Sequence, residues 1–218
     1  MSVKKTVLIL LTVLVVLVAA YTLITLKKIY TPTSGERIAE YAKSHKALLV
    51  IDVQEDFTGL NGKQPVPLPD SEKQIAAINR LVKYAVKSGM EVVYIRQLYD
   101  NNLITRNFIG RAIQGFPGSE LDARVMLVNR NVFPKKISDA FSNPILNRHL
   151  VTYQVDELYL TGLDAAYCVY YTALGALNRG YKVTAVSDAM MTAKNMAEII
   201  DLYRKKGITV TTSEAIMN

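Results

Sequence analysis

The feature that most limits how this chain can fold is an uncharged stretch of 21 residues, 6–26, of which 17 are hydrophobic. As a helix that rises about 1.5 Å per residue, the stretch would extend roughly 30 Å, the thickness of a bilayer's hydrocarbon core. Lysine pairs flank it on both sides, Lys4 and Lys5 before it and Lys27 and Lys28 after it. The sequence therefore predicts a single N-terminal transmembrane helix that anchors the chain to a membrane.

A cleaved secretory signal is the competing interpretation of the same stretch. Lys4 and Lys5 would form its charged start, and residues 18–20 (Val-Ala-Ala) resemble a small-residue cleavage site. The apolar run continues beyond that point to Leu26 and ends on two lysines, which favours an uncleaved anchor. Basic residues lie on both flanks, so the side of the membrane stays open, and secretion after cleavage is the alternative location.

Away from this stretch, the charge of the chain is ordinary. The net charge is +7, but without the four flanking lysines 22 basic and 19 acidic residues remain. The chain has no tryptophan and no basic stripe interleaved with aromatic residues, so we expect no nucleic-acid partner. Its single cysteine excludes an internal disulfide and a metal site built from cysteines alone.

Beyond residue 46, apolar segments of strand length alternate with amphipathic segments of helical length. The predicted strands are 47–53, 91–95, 125–128, 158–161, 182–186 and 208–211, and the predicted helices are 71–88, 137–149, 166–178 and 191–206. Such alternation predicts an α/β fold with a mainly parallel sheet between helices. We expect three parts: the anchor or signal (1–28), a linker with a short helix (29–45) and one domain (46–218).

Reactive side chains follow three of the predicted strands or their loops. Asp52 ends the first strand, and a buried carboxylate needs a partner because burial raises its pKa. Cys168 lies in the first turns of a predicted helix, where the helix dipole favours a thiolate. Lys135 and Lys136 precede another helix, and one of them can turn inward. Because parallel strands present their carboxyl ends at one edge, these groups are candidates for a shared site.

The spacing of these residues forms a larger pattern. Residues 52–57 are Asp-Val-Gln-Glu-Asp-Phe, a lysine precedes Phe141 by six positions, and Gly162 precedes Cys168 by six. This pattern, continued over nearly all of 46–218, resembles the isochorismatase-like cysteine hydrolases, which include nicotinamidases and carbamoyl-amide hydrolases. The resemblance implies a Rossmann-like three-layer fold with a six-stranded sheet.

The same resemblance implies a catalytic triad. Asp52 corresponds to the general base, Lys135 to the cation and Cys168 to the nucleophile; its spacing to Phe141 favours Lys135 over Lys136. The family's cis peptide corresponds to Leu163–Asp164. It would direct the N–H of Asp164 or of Ala165, together with that of Cys168, at an oxyanion.

Other family positions suggest how substrate is held. Gln54, Phe57, Tyr167 and Tyr171 are candidate substrate-binding residues. The two tyrosines flank Cys168 and suit a pocket or an oligomer contact, but packing against the core explains them equally well. Nicotinamidases bind a metal through a histidine cluster after the second strand, whereas residues 96–102 here contain no histidine. We therefore expect neither a metal nor another cofactor, and the resemblance suggests a homo-oligomer.

The predicted function is hydrolysis of a small amide or ureido C–N bond through a thioester. Two alternatives remain open: non-covalent hydrolysis of a small carboxylated ether, and a catalytically silent, membrane-tethered binding module. Residues 98–122 lack a regular period and contain three glycines and a proline, so we expect a functional loop or lid there. The identity of the small-molecule substrate cannot be read from the sequence.

Overall fold

The computed structural model describes residues 3–63 and 71–218, and these form one six-stranded sheet. The strands are β1 (His45–Ile51), β2 (Glu91–Gln97), β3 (Val132–Lys135), β4 (Val155–Leu163), β5 (Lys182–Met191) and β6 (Thr209–Thr211). They lie in the order β3-β2-β1-β4-β5-β6, with every neighbouring pair parallel. The order reverses between β1 and β4, where open parallel sheets form a crevice at their carboxyl ends.

Helices cover both faces of this sheet. The described α-helices are α1 (Val3–Ile29), α2 (Glu55–Thr58), α3 (Ser71–Lys87), α4 (Pro144–Thr152), α5 (Cys168–Leu177), α6 (Met196–Lys205) and α7 (Ser213–Met217). Alternate residues of β1 enter two separate cores: Ala47 and Leu49 face the α4, α5 and α6 side, and Leu48 and Val50 face α3. A strand that is buried on both faces explains the unbroken apolar run. The predicted six-stranded α/β fold is confirmed.

The third strand lies later in the chain than predicted. Residues 125–128 form no strand, and β3 is Val132–Lys135, which contains Pro134. Since β3 is an edge strand that pairs only with β2, a proline there removes no essential ladder hydrogen bond. A short edge strand with a proline and a lysine has no apolar signature, which is why the sequence pattern missed it.

Pro144 begins a helix, although it lies inside the predicted helix 137–149. It is the first residue of α4, and the side chain of Asn143 caps the helix by accepting the N–H of Ile145 at 3.0 Å. The first helical position tolerates proline because its N–H would have no partner inside the helix. The predicted helix 137–149 is therefore replaced by a 3-10 turn, Ala140–Ser142, followed by α4.

α1 is long and apolar enough to cross a bilayer, and no part of its apolar window is buried. The segment that follows it differs from the expected linker with a short helix. Residues 32–44 contain no helix, and the chain lies against the domain instead, with the N–H of Ile38 donating to Arg179 O at 2.8 Å. Backbone groups that bond to the domain are not available for the hydrogen bonds of a helix.

The predicted loop at 98–122 is an excursion from the carboxyl edge of the sheet. It contains a π-helical turn, Thr105–Ile109, and a 3-10 turn, Pro117–Ser119, but no strand or α-helix. Its base is closed by two backbone hydrogen bonds of Tyr99, with Ala112 O and with the N–H of Gln114, both at 2.9 Å.

Candidate active site

The carboxyl ends of four neighbouring strands bring the candidate residues together. Asp52 follows β1, Gln97 ends β2, Lys135 ends β3, and Cys168 begins the helix after β4. The register pairs Gln97 with Lys135, and Ile51 with Gly162. Residues distant in sequence therefore meet because the parallel strands end at similar heights.

Lys135 is the centre of the cluster. Its Nζ lies 2.7 Å from Asp52 Oδ2, 3.2 Å from Cys168 Sγ and 2.7 Å from Gln97 Oε1. These three contacts match the three donors of an ammonium group. The side chains of Lys135 and Asp52 are almost fully buried, and Asp52 Oδ1 has no hydrogen-bond partner among the described residues. One carboxylate oxygen is thus held by the lysine while the other stays available.

The second lysine of the doublet, Lys136, does not bind Asp52 or Cys168. Lys136 Nζ binds both carboxylate oxygens of Asp100, at 2.6 and 2.9 Å, and both side chains are mostly exposed. The geometry therefore separates the two lysines as the spacing to Phe141 suggested: Lys135 contacts Asp52 and Cys168 in the buried cluster, whereas Lys136 is exposed and lines the cavity without contacting either residue.

Gly162 allows β4 to approach β1 closely beneath this cluster. Its φ is +103°, and a Cβ at this position would lie 2.0 Å from the carbonyl oxygen of Ile51. No side chain fits there, because a Cβ would clash with this oxygen and the backbone of β1 cannot shift away from it. The glycine thus permits Asp52, directly after Ile51, to lie beside the turn that carries Cys168.

Electrostatics favour a protonated thiol in the resting site. Burial raises the pKa of Cys168 to about 12; the Lys135 ammonium opposes this shift and the Asp52 carboxylate adds to it. Burial alone would lower the pKa of Lys135, but the charge of Asp52 and the hydrogen bonds to Asp52 and Cys168 outweigh burial and raise this pKa above its usual range. The sulfur therefore needs a nearby proton acceptor before it can act as a thiolate, and Asp52 is the carboxylate of the cluster.

The turn between β4 and α5 provides two backbone donors. Leu163 and Asp164 are joined by a cis peptide, and the N–H of Ala165 donates to Met191 O at 2.8 Å. Ala165 is therefore excluded as an oxyanion donor. The N–H groups of Asp164 and Cys168 donate to no acceptor within 3–63 and 71–218, so of the two predicted alternatives only Asp164 remains.

A cavity of about 350 Å³ opens above the cluster. Of the predicted site residues, those that line it are Asp52, Phe57, Leu163, Asp164, Tyr167 and Cys168. Lys136 also lines it, together with residues that had no predicted role, namely Ile29, Tyr30, Gln97, Tyr99, Arg111, Ile137 and Ser138. Only Gln97 has a detectable signal among these, because it lies just after the predicted strand 91–95.

Two predicted substrate-binding residues lie outside this cavity. Gln54 is fully buried; its Oε1 accepts the N–H of Gln97 at 2.7 Å, and its Nε2 donates to Gln97 O and Ser119 O at 3.0 and 2.8 Å. Its amide has no group left for a substrate and instead positions Gln97, which contacts Lys135. Tyr171 packs against the ring of Tyr30.

The residues of this site do not form a metal-binding set. Across the described ranges, no three His, Cys, Asp or Glu side chains are grouped closely enough to hold an ion. The two histidines lie elsewhere: His45 contacts Tyr153 O, and His149 contacts Glu91.

Comparison with known proteins places this geometry in context. The isochorismatase domain family matches residues 46–215. Nicotinamidase from Escherichia coli is 27% identical over 66% of this chain and 81% of that protein. The secreted isochorismatase effector Isc1 of Phytophthora sojae is 26% identical over 84% of this chain and 80% of that protein. The solved structure of N-carbamoylsarcosine amidase from Thermoplasma acidophilum superposes with a TM-score of 0.68 and 27% identity, covering 78% of this chain and 96% of that one.

Proposed function

The chain belongs to the isochorismatase family of hydrolases, and from this membership we propose that it cleaves the C–N bond of a small amide or ureido compound through a thioester on Cys168. One observation carries the proposal: a single ammonium, Lys135 Nζ, contacts both the sulfur of Cys168 and the carboxylate of Asp52 at the floor of a cavity. A nucleophile, a proton acceptor and a cation within contact distance are the components of covalent acyl transfer.

The first step is transfer of the thiol proton to Asp52. At rest the cluster contains a neutral thiol, a carboxylate and an ammonium, whose formal charges sum to zero. After the transfer it contains a thiolate, a neutral acid and the same ammonium, and the sum is still zero. Burial raises the pKa of the Cys168 thiol and penalises any net charge in the cluster. Proton transfer from the thiol to Asp52 leaves the net charge unchanged and is therefore the favourable way to form the thiolate.

The thiolate then attacks the substrate carbonyl. A C–S bond forms, and the C=O π pair moves to the oxygen, which the N–H groups of Asp164 and Cys168 stabilise. Loss of one such donor typically costs about 3–4 kcal/mol of transition-state stabilisation. As the C–N bond breaks, Asp52 gives its proton to the leaving nitrogen. Asp52 next removes a proton from water, whose hydroxide attacks the thioester, and the cleaved thiolate regains that proton.

Direct detection of the thioester tests this proposal. A panel of small amides and ureides would be mixed with the full chain in detergent, quenched in acid within milliseconds and analysed by intact mass. The chain has one cysteine, so an acyl adduct that disappears after iodoacetamide pretreatment is assigned to Cys168. Turnover without an adduct would favour the non-covalent hydrolase, and neither turnover nor adduct would favour the silent binding module.

Asp52→Asn is expected to change sulfur reactivity and turnover in opposite directions. The carboxylate of Asp52 raises the pKa of Cys168 and the ammonium of Lys135 lowers it, so removing only the carboxylate lowers the thiol pKa. Each pKa unit lost yields about tenfold more thiolate while the thiol is mostly protonated. At pH 8 we expect iodoacetamide to modify the variant about tenfold faster, whereas hydrolysis falls at least about 100-fold because the proton acceptor is gone.

Parallel changes would contradict this role. If alkylation and hydrolysis both fall in Asp52→Asn, the carboxylate is needed to hold the site together and not to move the proton. Glu55→Gln is a matched control, because Glu55 lies three residues away and does not line the cavity.

We propose further that residues 1–28 are an uncleaved anchor that attaches the hydrolase domain, 46–218, to a membrane. Support comes from the continuity of α1 from Val3 to Ile29 through the candidate cleavage site, and from Lys27 and Lys28 in its last turn. We expect the full chain to stay in the membrane pellet after extraction at pH 11 and to keep residues 1–28 by mass spectrometry. A soluble product that starts near residue 21 would establish signal cleavage instead.

A further inference from the structure

One side of the cavity comes from residues that precede the segment shared with the family. Ile29, the last residue of α1, lines the cavity together with Tyr30 and Cys168. The centroid of the Tyr30 ring lies 5.7 Å from that of Tyr167 and 5.8 Å from that of Tyr171. Tyr30 lines the cavity and is also 41% exposed, so it lies where the cavity meets solvent.

A buried carboxylate holds this segment in place. Asp139 is fully buried, and its Oδ2 accepts the N–H and the hydroxyl of Thr33 at 2.7 and 2.6 Å. Gly175 provides the space, since a Cβ there would lie 2.3 Å from Asp139 Oδ2. A buried carboxylate needs hydrogen-bond donors, and the two hydrogen bonds from Thr33 offset part of the free-energy cost of burying Asp139.

Donors from the end of α5 bind the same segment from the other side. Arg179 donates through Nη1 to Thr33 O at 3.1 Å and through Nη2 to Ser34 O at 3.0 Å. Asn178 Nδ2 donates to Thr33 O at 2.9 Å. Arg179 is itself buried, and it faces these carbonyl groups instead of solvent.

The attachment also reaches the segment that carries the cation of the active site. The N–H of Ser138 donates to Ile29 O at 3.2 Å, and Ser138 lies between Lys135 and Asp139 in the chain. Ser138 and Asp139, two of the residues that hold this segment, therefore belong to the same stretch of chain as Lys135, which contacts Cys168. Residues 29–34 are thus held to the domain by hydrogen bonds to Ser138, Asp139, Asn178 and Arg179, which a flexible linker would not form.

We propose that residues 29–34, which we call the N-terminal wall, determine which substrates reach Cys168, with Tyr30 setting the size limit. The inference deepens the proposed hydrolase function, on which it rests for the substrate, and it concerns residues outside the part shared with the family. Because the ring of Tyr30 is the boundary between cavity and solvent, its removal opens the cavity beside the nucleophile. Larger molecules then gain access to the sulfur while the triad stays unchanged.

Paired alkylation of the full chain in detergent tests the wall without any turnover. The only cysteine is Cys168, so all labelling reports on the site. Iodoacetamide is compared with an iodoacetamide that carries a fluorescein group, and the ratio of their rate constants cancels the thiolate fraction. We expect Tyr30→Ala to raise the bulky-to-small ratio at least fivefold and Tyr30→Phe to leave it within twofold of the starting value.

Tyr21→Ala is the matched control, because Tyr21 lies within α1, does not line the cavity and is 73% exposed. A Tyr30→Ala ratio no larger than that of Tyr21→Ala would overturn the proposal, and Tyr30→Val replaces the variant if it does not fold. With an amide substrate in hand, kcat/KM for a bulky amide relative to a small one should rise at least tenfold in Tyr30→Ala. An unchanged alkylation ratio would contradict the proposed role of the N-terminal wall but not the hydrolase function. A raised ratio without turnover of any amide would contradict the hydrolase function but not the role of the wall.

Discussion

Replacement of Cys168 by alanine is expected to abolish turnover and the acyl adduct while the chain stays folded. The variant removes only the sulfur from the start of α5, where alanine is a favourable helical residue. The ion pair of Lys135 and Asp52 remains intact. Loss of a nucleophile in a covalent hydrolase lowers kcat by about 10³-fold or more. The measurement is steady-state hydrolysis, with circular dichroism to verify the fold.

Cys168→Ser distinguishes chemistry from shape. Serine keeps a hydrogen-bonding group of nearly the same size next to Lys135 Nζ, yet its hydroxyl is far harder to deprotonate than a thiol. We expect it to be almost as inactive as the alanine variant. Wild-type rates in Cys168→Ala on any substrate that the protein turns over would end the covalent mechanism.

Lys135→Met is expected to cost both activity and stability. The change leaves the carboxylate of Asp52 buried without its cation, and breaking a buried ion pair from one side typically costs about 3–5 kcal/mol of unfolding free energy. It also removes the charge that stabilises the thiolate, so hydrolysis should fall at least about 100-fold. Thermal unfolding of the full chain in detergent and turnover by the folded fraction measure the two effects separately.

The neighbouring lysine provides the control. Lys136→Met alters an exposed ion pair with Asp100, and such pairs contribute little to stability. We expect a melting temperature close to that of the unaltered chain and a much smaller loss of activity. Equal losses in the two variants would mean that the site responds to overall positive charge and not to the ammonium between Asp52 and Cys168.

The sequence was sufficient to predict which residues meet at the candidate site, because the ends of buried strands can be recognised in it. A buried parallel strand appears as an apolar run, and the first polar residue after it marks the carboxyl edge of the sheet. Asp52 was identified in this way, and Cys168 by its position between a strand and a helix. Family spacing then identified Lys135, although its own strand had no apolar run and was placed seven residues too early.

The parts that the sequence did not reveal depend on contacts between distant segments. Gln97 contacts Lys135 only because β2 pairs with β3 in this register, and Gln54 in turn fixes Gln97. Neither relation leaves a local pattern, so Gln54 was assigned to substrate. Tyr30 lies in a polar stretch that resembles a linker, and its place at the cavity depends on Thr33 and Asp139, which are 106 positions apart.

The attachment of residues 29–34 has a practical consequence for anyone who shortens this protein. A recombinant fragment cut at the family boundary, residue 46, would lack Thr33 and Ser34, so Asp139 and Arg179 would lose the backbone groups they bind. The cavity beside Cys168 would lack the side that Ile29 and Tyr30 form, so substrates tested on such a fragment would not report on the full chain. Expression vectors for soluble material should therefore start no later than Ile29.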